Sequence, residues 1–196
     1  MAKRARNSIR VIGGRWRGRR LRFPAVEGVR PTPERLRETL FNWLGREVEG
    51  GRCLDLFAGS GALTFEAASR GAARATAIDA SRAVTRALAR NAQTLEAGDA
   101  IEVVQARVAR YLQRSPAPAD IVFVDAPFAH PEWADAALAR LAEAGWLAPC
   151  ALVYVEASAH GRAPIIPAAW QRVRSQRAGD AQALLLRADA IDARRC

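Results

Sequence analysis

Several features that would define a protein class are missing or scarce in this sequence of 196 residues. No apolar run approaches the roughly 18 to 20 residues that a membrane-spanning helix needs, so we expect no association with a membrane. The first residues are basic but contain no apolar segment, so we expect no secretory signal. With 50% hydrophobic and 26% charged residues, the chain has the composition of an ordinary globular protein.

Cysteine and histidine are too scarce to suggest a metal centre. The three cysteines, Cys53, Cys150 and Cys196, lie far apart and form no C-x-x-C pair. This spacing argues against a zinc site or a disulfide framework, and it suits a reducing cytosol. The two histidines, His130 and His160, are too few for a histidine-rich metal site. We therefore expect a cytoplasmic protein that binds no metal, and we expect it to be a monomer.

Acidic residues are almost missing from the first thirty positions. This segment has ten Lys or Arg residues and one acid, Glu27, for a net charge of +9, whereas the rest has twenty basic and nineteen acidic residues. A block of one sign indicates contact with nucleic acid or another acidic surface. The alternative is a solubilising disordered tail, but such tails rarely contain this much apolar material. The apolar residues are Ile9, Val11, Ile12, Trp16, Leu21 and Phe23.

A small β-ribbon with an arginine-rich face fits this segment better than a tail does. Two short strands are predicted within residues 9–23, and Trp16 would add stacking on an unpaired base. We predict that residues 1–30 form a nucleic-acid-binding extension and that residues 31–196 form the second domain. The expected contact residues are Arg10, Arg15, Trp16, Arg17, Arg19, Arg20 and Arg30.

The remainder of the chain alternates between strand and helix patterns. The strand-like segments are CLDLF, ATAID, IEVVQA, DIVFVD and ALVYVEAS, and helical patterns separate them. Apolar strands that alternate with helices imply a parallel sheet covered on both faces. The tail differs, because WQRVRSQRAGDAQALLLRAD predicts two strands joined around Gly179 and Asp180, which is an antiparallel hairpin.

The first of these strands leads into DLFAGSGA, residues 55–62. Gly59 and Gly61 allow a tight turn at a helix N-terminus, although Thr64 breaks the full G-x-G-x-x-G pattern. Asp55 makes the motif more informative, because a carboxylate in a buried strand needs a partner. A cationic amino-acid ligand would supply one.

The second strand ends on Asp79, about 20 residues past the glycines, where an acid suits the two hydroxyls of a ribose. The alternative is a role at the helix N-terminus, ahead of Ser81. Asp55, the two glycines and Asp79 together indicate an adenosine-type ligand whose other end is charged but has no phosphate. S-adenosylmethionine fits this description better than NAD does.

The fourth strand stops on Asp125, followed by Ala126, Pro127 and Phe128. An exocyclic amine of a nucleobase accepts a methyl group more readily when hydrogen-bond acceptors draw its nitrogen towards sp³ geometry. The Asp125 carboxylate and the Ala126 carbonyl are two such acceptors, and the Phe128 ring can stack on the base. Pro127 forces Ala126 into an extended backbone, which fixes the direction of that carbonyl.

These motifs resemble those of the RsmD family, bacterial class I S-adenosylmethionine-dependent methyltransferases that act on a guanine N2 of 16S ribosomal RNA. The matching segments are RVIGGRWRGRRL, RPTPERLRETLFNWL, CLDLFAGSGALTFEAASRGA and DIVFVDAPF, followed by GWL and YVE. The first two are the most specific, because generic methyltransferases lack them. The resemblance covers nearly the whole chain.

The resemblance implies an α/β, Rossmann-like fold with a seven-stranded, mostly parallel sheet, an antiparallel last strand and a small N-terminal β-ribbon. It also implies S-adenosylmethionine as cofactor, and the small ribosomal subunit or its assembly intermediate as substrate. Catalysis would fall to Asp125, Ala126, Pro127 and Phe128. The expected cofactor contacts are Asp55, Phe57, Gly59, Ser60, Gly61, Asp79, Gln105, Ala106 and Asp125.

Some positions keep two interpretations. Phe57 either packs at the end of the sheet or lines the cofactor pocket. Thr32 reads as a helix N-cap with Pro33 at the first helical position, whereas the resemblance places it near the cofactor or substrate entrance. Gln105 stands where relatives often place a small polar or acidic residue.

Ala126 departs from the family pattern, which has a proline at this position. The carbonyl is retained, so we expect activity to survive. Two other functions stay open: methylation of an exocyclic amine in DNA or another RNA, and a non-catalytic role in ribosome assembly. Ala126 favours the second of these, and the retained Asp55, Asp79 and Asp125 weigh against it.

Overall fold

The computed structural model describes residues 7–26, 32–143 and 145–188 of the chain. The expected RNA contact Arg30 and the predicted domain boundary after residue 30 lie outside the described residues. Within the described part, no helix is both long and apolar enough to cross a membrane.

The N-terminal segment forms a two-stranded antiparallel ribbon, as the sequence predicts. β1 (Ser8–Arg10) and β2 (Arg20–Arg22) pair with Ile9 opposite Leu21, and a short 3₁₀ turn at Gly14–Trp16 lies between them. Ile9 and Leu21 are buried, whereas the arginines beside them are exposed. The alternation of side chains along each strand therefore gives the ribbon one apolar face and one arginine-rich face.

Seven strands form the main sheet. They are β3 (Arg52–Asp55), β4 (Arg74–Asp79), β5 (Ile101–Gln105), β6 (Ala119–Val124), β7 (Leu147–Ser158), β8 (Trp170–Ala178) and β9 (Ala181–Ala188). Their spatial order is β5-β4-β3-β6-β7-β9-β8, with β3 to β7 parallel and β9 antiparallel to both of its neighbours. This confirms the predicted Rossmann-like sheet with an antiparallel last strand and the hairpin around Gly179.

Helices cover both faces of the sheet. They are α1 (Glu34–Leu44), α2 (Ala62–Ser69), α3 (Arg82–Thr94), α4 (Val108–Tyr111) and α5 (Pro131–Glu143). Ile121 and Phe123 of β6 pack in the cluster with α1, α2 and α3, whereas Val122 and Val124 pack with α4 and α5. Since both faces are covered, both sets of strand side chains are apolar. The carboxyl ends of the parallel strands meet at one edge, where most of the expected site residues lie.

The fully buried carboxylate of Glu66 in α2 holds the ribbon against this helix. Glu66 accepts hydrogen bonds of 2.8 Å from the backbone amides of Ile12 and Gly13, and one of 2.7 Å from Arg70 Nε. Gly14 has a φ of +72°, and a Cβ on it would lie 1.8 Å from the carbonyl oxygen of Ser69. Only glycine therefore lets the ribbon approach α2 this closely.

The cysteines partly contradict the expectation drawn from their spacing. Cys53 is free and buried in β3, and burial raises the pKa of its thiol to about 12. Cys150 is disulfide-bonded, which the spacing of the cysteines did not predict, since it argued against a disulfide framework. Sequence spacing failed here because a disulfide depends on distance in the fold, which residue numbers do not give.

Candidate active site at the carboxyl edge of the sheet

Asp55 ends β3 with a buried carboxylate that is only half satisfied. The residue is 2% exposed, and its Oδ2 accepts a 2.7 Å hydrogen bond from the Thr64 hydroxyl of α2. Its Oδ1 is buried and has no partner among the described residues. Burial, with repulsion from Asp125 and Asp79, raises the pKa of Asp55 to about 7. A cation against Oδ1 would supply the missing partner.

The glycine loop after β3 allows only glycine at its last position. Gly61 has a φ of +79°, and a Cβ on it would lie 2.5 Å from Leu88 Cδ2 and 2.6 Å from Phe65 Cε2. Ser60 is buried, and its Oγ accepts a 3.3 Å hydrogen bond from the Ala62 amide at the start of α2. The expected cofactor contact at Ser60 would therefore come from its backbone.

Asp79 fastens the same loop to β4. Its Oδ2 accepts a 3.0 Å hydrogen bond from the Gly59 amide, and its Oδ1 accepts one of 2.7 Å from the Ser81 amide. Ser81, whose Oγ accepts from the Val84 amide, is the N-cap of α3. The carboxylate thus sets the position of the glycine loop and keeps lone pairs for a further donor. The pKa of Asp79 is raised overall, because the effect of burial is larger than that of these two hydrogen bonds, which lower it.

The other residues expected to contact an adenine lie near the same edge of the sheet. Gln105 ends β5 and is exposed, and the Ala106 amide donates a 3.0 Å hydrogen bond to the Asp79 carbonyl. Phe57 is half-buried and packs against the apolar cluster on the α4–α5 face. The structure therefore brings Asp79 and Ala106 together through the backbone, with the Gln105 side chain open to solvent.

Asp125 follows β6 and is held by a residue 93 positions earlier in the chain. Its Oδ2 accepts a 3.0 Å hydrogen bond from the Thr32 hydroxyl, and Thr32 is buried. The prediction that Thr32 caps α1 is wrong, because Pro33 has an extended ψ of 141° at the N-cap position and no side chain caps the helix. Burial raises the pKa of Asp125 to about 6, and the Thr32 hydrogen bond opposes this rise.

The loop after Asp125 goes from buried to exposed within three residues. Ala126 is 4% exposed and packs with the α4–α5 cluster, whereas Phe128 is 40% exposed. The Pro127 carbonyl accepts a 2.8 Å hydrogen bond from the His130 amide, which closes the turn that leads into α5. A large apolar ring is therefore presented to solvent beside an ionisable carboxylate.

Glu156 is a site residue that sequence reasoning did not single out. It lies near the end of β7, is 6% exposed, and accepts a 2.9 Å hydrogen bond from the Tyr154 hydroxyl. Burial and the negative charge of Asp125 raise the pKa of Glu156 to about 8. The sequence signal that could have identified Glu156 is its position at the end of the apolar segment LVYVE. This segment lies in β7, which pairs with β6, the strand that leads into Asp125.

Comparisons with known proteins agree with this arrangement. The sequence profile of a family described as "Conserved hypothetical protein 95" matches residues 9–187. The ribosomal RNA small subunit methyltransferase D of Escherichia coli K12 is 47% identical over 171 residues, which cover 87% of this chain and 85% of that protein. The enzyme of the same name from Haemophilus influenzae is 39% identical over 89% of this chain and 91% of its own. The chain belongs to the RsmD family.

Solved structures extend the comparison to the fold. The Escherichia coli yhhF protein, described as a candidate methyltransferase, superimposes with a TM-score of 0.85 at 44% identity and covers 94% of this chain and 99% of its own. A 16S rRNA N2 methyltransferase from Thermus thermophilus, RsmC, solved with AdoMet and guanosine, has a TM-score of 0.68 at 20% identity. It covers 94% of this chain and 50% of its own, and at that identity it shows a shared fold.

The ribbon of this RsmD-family protein presents its charges to solvent. Arg10, Arg15, Arg17, Arg19 and Arg20 are exposed. Arg10 is ion-paired with Glu34 of α1, and Arg19 donates a 3.3 Å hydrogen bond to the Thr94 carbonyl of α3.

Trp16 departs from expectation. It is 7% exposed, and the Arg15 guanidinium carbon lies 4.0 Å from its ring centroid. The expected stacking of Trp16 on a base is therefore wrong for this conformation, because its ring fills the interface between the ribbon and the body. Sequence reasoning could not separate an apolar docking face from a nucleic-acid-binding one.

Proposed function

We propose that this protein transfers a methyl group from S-adenosylmethionine to the exocyclic N2 amine of a guanine in 16S ribosomal RNA of the small subunit. The observation that carries the proposal is the Asp125 carboxylate, held by Thr32 and followed by an exposed Phe128, at the edge where Asp55 lacks a partner. Membership of the RsmD family supports it, since the named relatives are small-subunit ribosomal RNA methyltransferases.

The residues over β3 and β4 fit S-adenosylmethionine. The ligand carries an ammonium and a sulfonium, and this edge holds Asp55, Asp79 and Asp125. Burial, together with the charges of Asp125 and Asp79, raises the pKa of Asp55. The unpartnered Oδ1 of Asp55 would accept a hydrogen bond from the ammonium, and Asp79 would accept one from the ribose. Gly59 and Gly61 would let the backbone come close to the ligand, without the clash that a side chain would cause.

The chemistry requires that the N2 lone pair meet the methyl carbon in line with the bond that breaks. The cofactor supplies an electrophilic methyl group on a sulfonium. Asp125 accepts one N2 hydrogen bond, and the Ala126 carbonyl accepts the second, so that the nitrogen is drawn towards sp³ geometry and its lone pair is less delocalised into the ring. Phe128 stacks on the base and limits its tilt. The N–C bond would form as the S–C bond breaks and S-adenosylhomocysteine leaves, and one N2 proton would pass to the Asp125 carboxylate or to water during or after transfer. Positioning supplies most of the rate.

The rest of the proposal concerns the RNA. The exposed arginines of the ribbon would contact phosphates, which supply most of the affinity of such complexes. We place the enzyme in the cytoplasm, where small subunits are assembled, and its monomeric state stays a prediction.

Methyl transfer from labelled S-adenosylmethionine to small subunits from a strain lacking this gene tests the proposal, with digestion to nucleosides afterwards. We expect the label in N2-methylguanosine and its loss with Asp125→Ala. A thermal shift with the cofactor is the control, because a ligand at 100 times its dissociation constant stabilises by about 2.7 kcal/mol. Cofactor binding without any label on the subunits would overturn the proposal and favour an assembly factor or another nucleic-acid substrate.

A further inference from the structure

Asp125 lies beside a second carboxylate that the proposed transfer does not use. Val124 of β6 pairs with Val155 of β7 in parallel register. The residues that follow them, Asp125 and Glu156, are therefore neighbours, because the backbones of adjacent strands lie about 4.8 Å apart. Their electrostatic coupling shows in the raised pKa of Glu156, to which the charge of Asp125 contributes. Burying a second acid beside the first is costly unless a donor satisfies it.

Glu156 has one such donor and one oxygen left over. The Tyr154 hydroxyl donates to Oε2, and Oε1 accepts no hydrogen bond from the described residues. Oε1 is also not among the fully buried, unpartnered atoms, so it reaches the surface. Glu156 lines a cleft together with Ala126, Pro127 and Phe128. Glu156 and the loop that follows Asp125 therefore border the same cleft.

Guanine offers two adjacent donors on its Watson–Crick edge, the N2 amine and N1–H, and single-stranded bases are read on this edge. We propose that Glu156 is the residue that selects guanine, by accepting the N1–H hydrogen bond while Asp125 and the Ala126 carbonyl hold N2. A carboxyl group keeps an acceptor oxygen whether or not it is protonated. The inference rests on the proposed function, and it adds that the site recognises the N1–H group of guanine.

The test compares guanine with a base that keeps the amine but lacks N1–H. Small subunits are reconstituted with 16S rRNA that carries either guanosine or 2-aminopurine riboside at the methylated position. In 2-aminopurine, N1 is an acceptor and would face the Glu156 oxygen without a hydrogen. At about pH 9, above the Glu156 pKa of about 8, the carboxylate has no proton to donate to N1 of 2-aminopurine. There we expect the wild-type protein to prefer guanosine in kcat/KM by roughly tenfold to one-hundredfold, the range for a hydrogen bond to a charged group.

Two variants assign the preference to Glu156. The double variant Tyr154→Phe/Glu156→Met removes both hydrogen-bonding partners and keeps the volume, which is tolerated far better than leaving one buried partner alone. We expect it to methylate both substrates at nearly equal kcat/KM. Tyr154→Phe alone leaves the carboxyl in place, so it should keep the preference for guanosine. A purely structural role would lower both rates together and leave their ratio unchanged.

The outcomes separate this inference from the proposed function. No methylation of guanosine-bearing subunits by the wild type would contradict the function itself. Methylation of both substrates at equal rates by the wild type, or an undiminished preference in the double variant, would overturn the role of Glu156. Where turnover of the double variant is too slow, the ratio of dissociation constants for the two ribosides, measured with S-adenosylhomocysteine present, gives the same decision.

Discussion

The two halves of the carboxyl edge hold their acids in different ways. Over β3 and β4, Asp79 accepts only from backbone amides, and Asp55 accepts from Thr64, nine residues away on the adjoining helix. Over β6 and β7, Asp125 is held by the hydroxyl of Thr32, far away in the chain, and Glu156 by that of Tyr154. In the half over β3 and β4, the donors come from the loop and helices that adjoin the strands. In the half over β6 and β7, Asp125 depends on a distant element, whereas Glu156 has its donor on its own strand.

This difference follows from what each half would bind. A small cofactor of constant shape can be held by a short loop whose backbone positions do not vary. A base that arrives as part of a large RNA needs open access, and the exposed Phe128 borders a cleft on this side. The division can be tested by making the same chemical change in each half.

The largest effect should come from replacing one acid in each half by its amide. Asp125→Asn should lower kcat by about one-hundredfold, because a misplaced amine loses in-line geometry, and it should weaken cofactor binding less than Asp55→Asn does. Asp55→Asn should instead weaken cofactor binding, since its amide cannot pair with an ammonium as a carboxylate does. Isothermal titration with S-adenosylmethionine and single-turnover methyl transfer measure the two effects. Equal losses of affinity in both variants would contradict the division.

The half over β3 and β4, the cofactor half, should tolerate an added methyl group in its glycine loop less well than a glycine outside the site does. Gly61→Ala meets Leu88 and Phe65 and also has a positive φ, whereas Gly98→Ala has a positive φ of +55° with no atom within 4 Å. We expect Gly61→Ala to be less stable than Gly98→Ala by about 1 to 3 kcal/mol, the usual cost of overpacking. Urea unfolding of both variants gives the difference. Equal stabilities would mean that the loop can move aside.

The substrate half should respond to pH through Thr32. The ionised Asp125 carboxylate accepts more strongly from the amine than the neutral acid does, and its pKa of about 6 means that activity falls as pH falls through that value. The Thr32 hydroxyl lowers this pKa, so Thr32→Val should raise it and move the acidic limb of the kcat profile to higher pH. Thr39→Val is the matched control, because the Thr39 hydroxyl only contacts the Arg35 carbonyl within α1. An unshifted limb in Thr32→Val would separate Thr32 from the reaction.

The same contrast decides what the sequence could predict. Asp55, Gly61 and Asp79 follow from a short motif at the ends of two strands, so local pattern was enough to place them together. Thr32 kept two interpretations, a helix cap and a place near the cofactor or substrate entrance, because a local pattern cannot show that a hydroxyl 93 residues away from Asp125 reaches it. Glu156 was missed for a related reason, since its neighbour is set by strand order and register. The role of Trp16 was predicted wrongly, because an aromatic ring suits burial between the ribbon and the body as well as stacking on a base.

The smallest effect should lie outside both halves, on the ribbon. Arg17 is exposed and forms no ion pair with the described residues, whereas Arg10 is paired with Glu34. If Arg17 contacts one phosphate, Arg17→Ala should weaken RNA binding uniformly and reduce the slope of log affinity against log salt by about 0.7 to 0.9. Arg174→Ala, on the edge strand β8 of the sheet, is the control and should leave the slope unchanged. Filter binding of small-subunit RNA at several salt concentrations measures both slopes. Among the described residues, no hydrogen bond or ion pair joins Arg17 to Asp55 or Asp125, so cofactor affinity and the single-turnover rate at saturating RNA should not change. A slope that falls equally in both variants would mean that RNA is attracted by the overall charge of the protein and not by the ribbon.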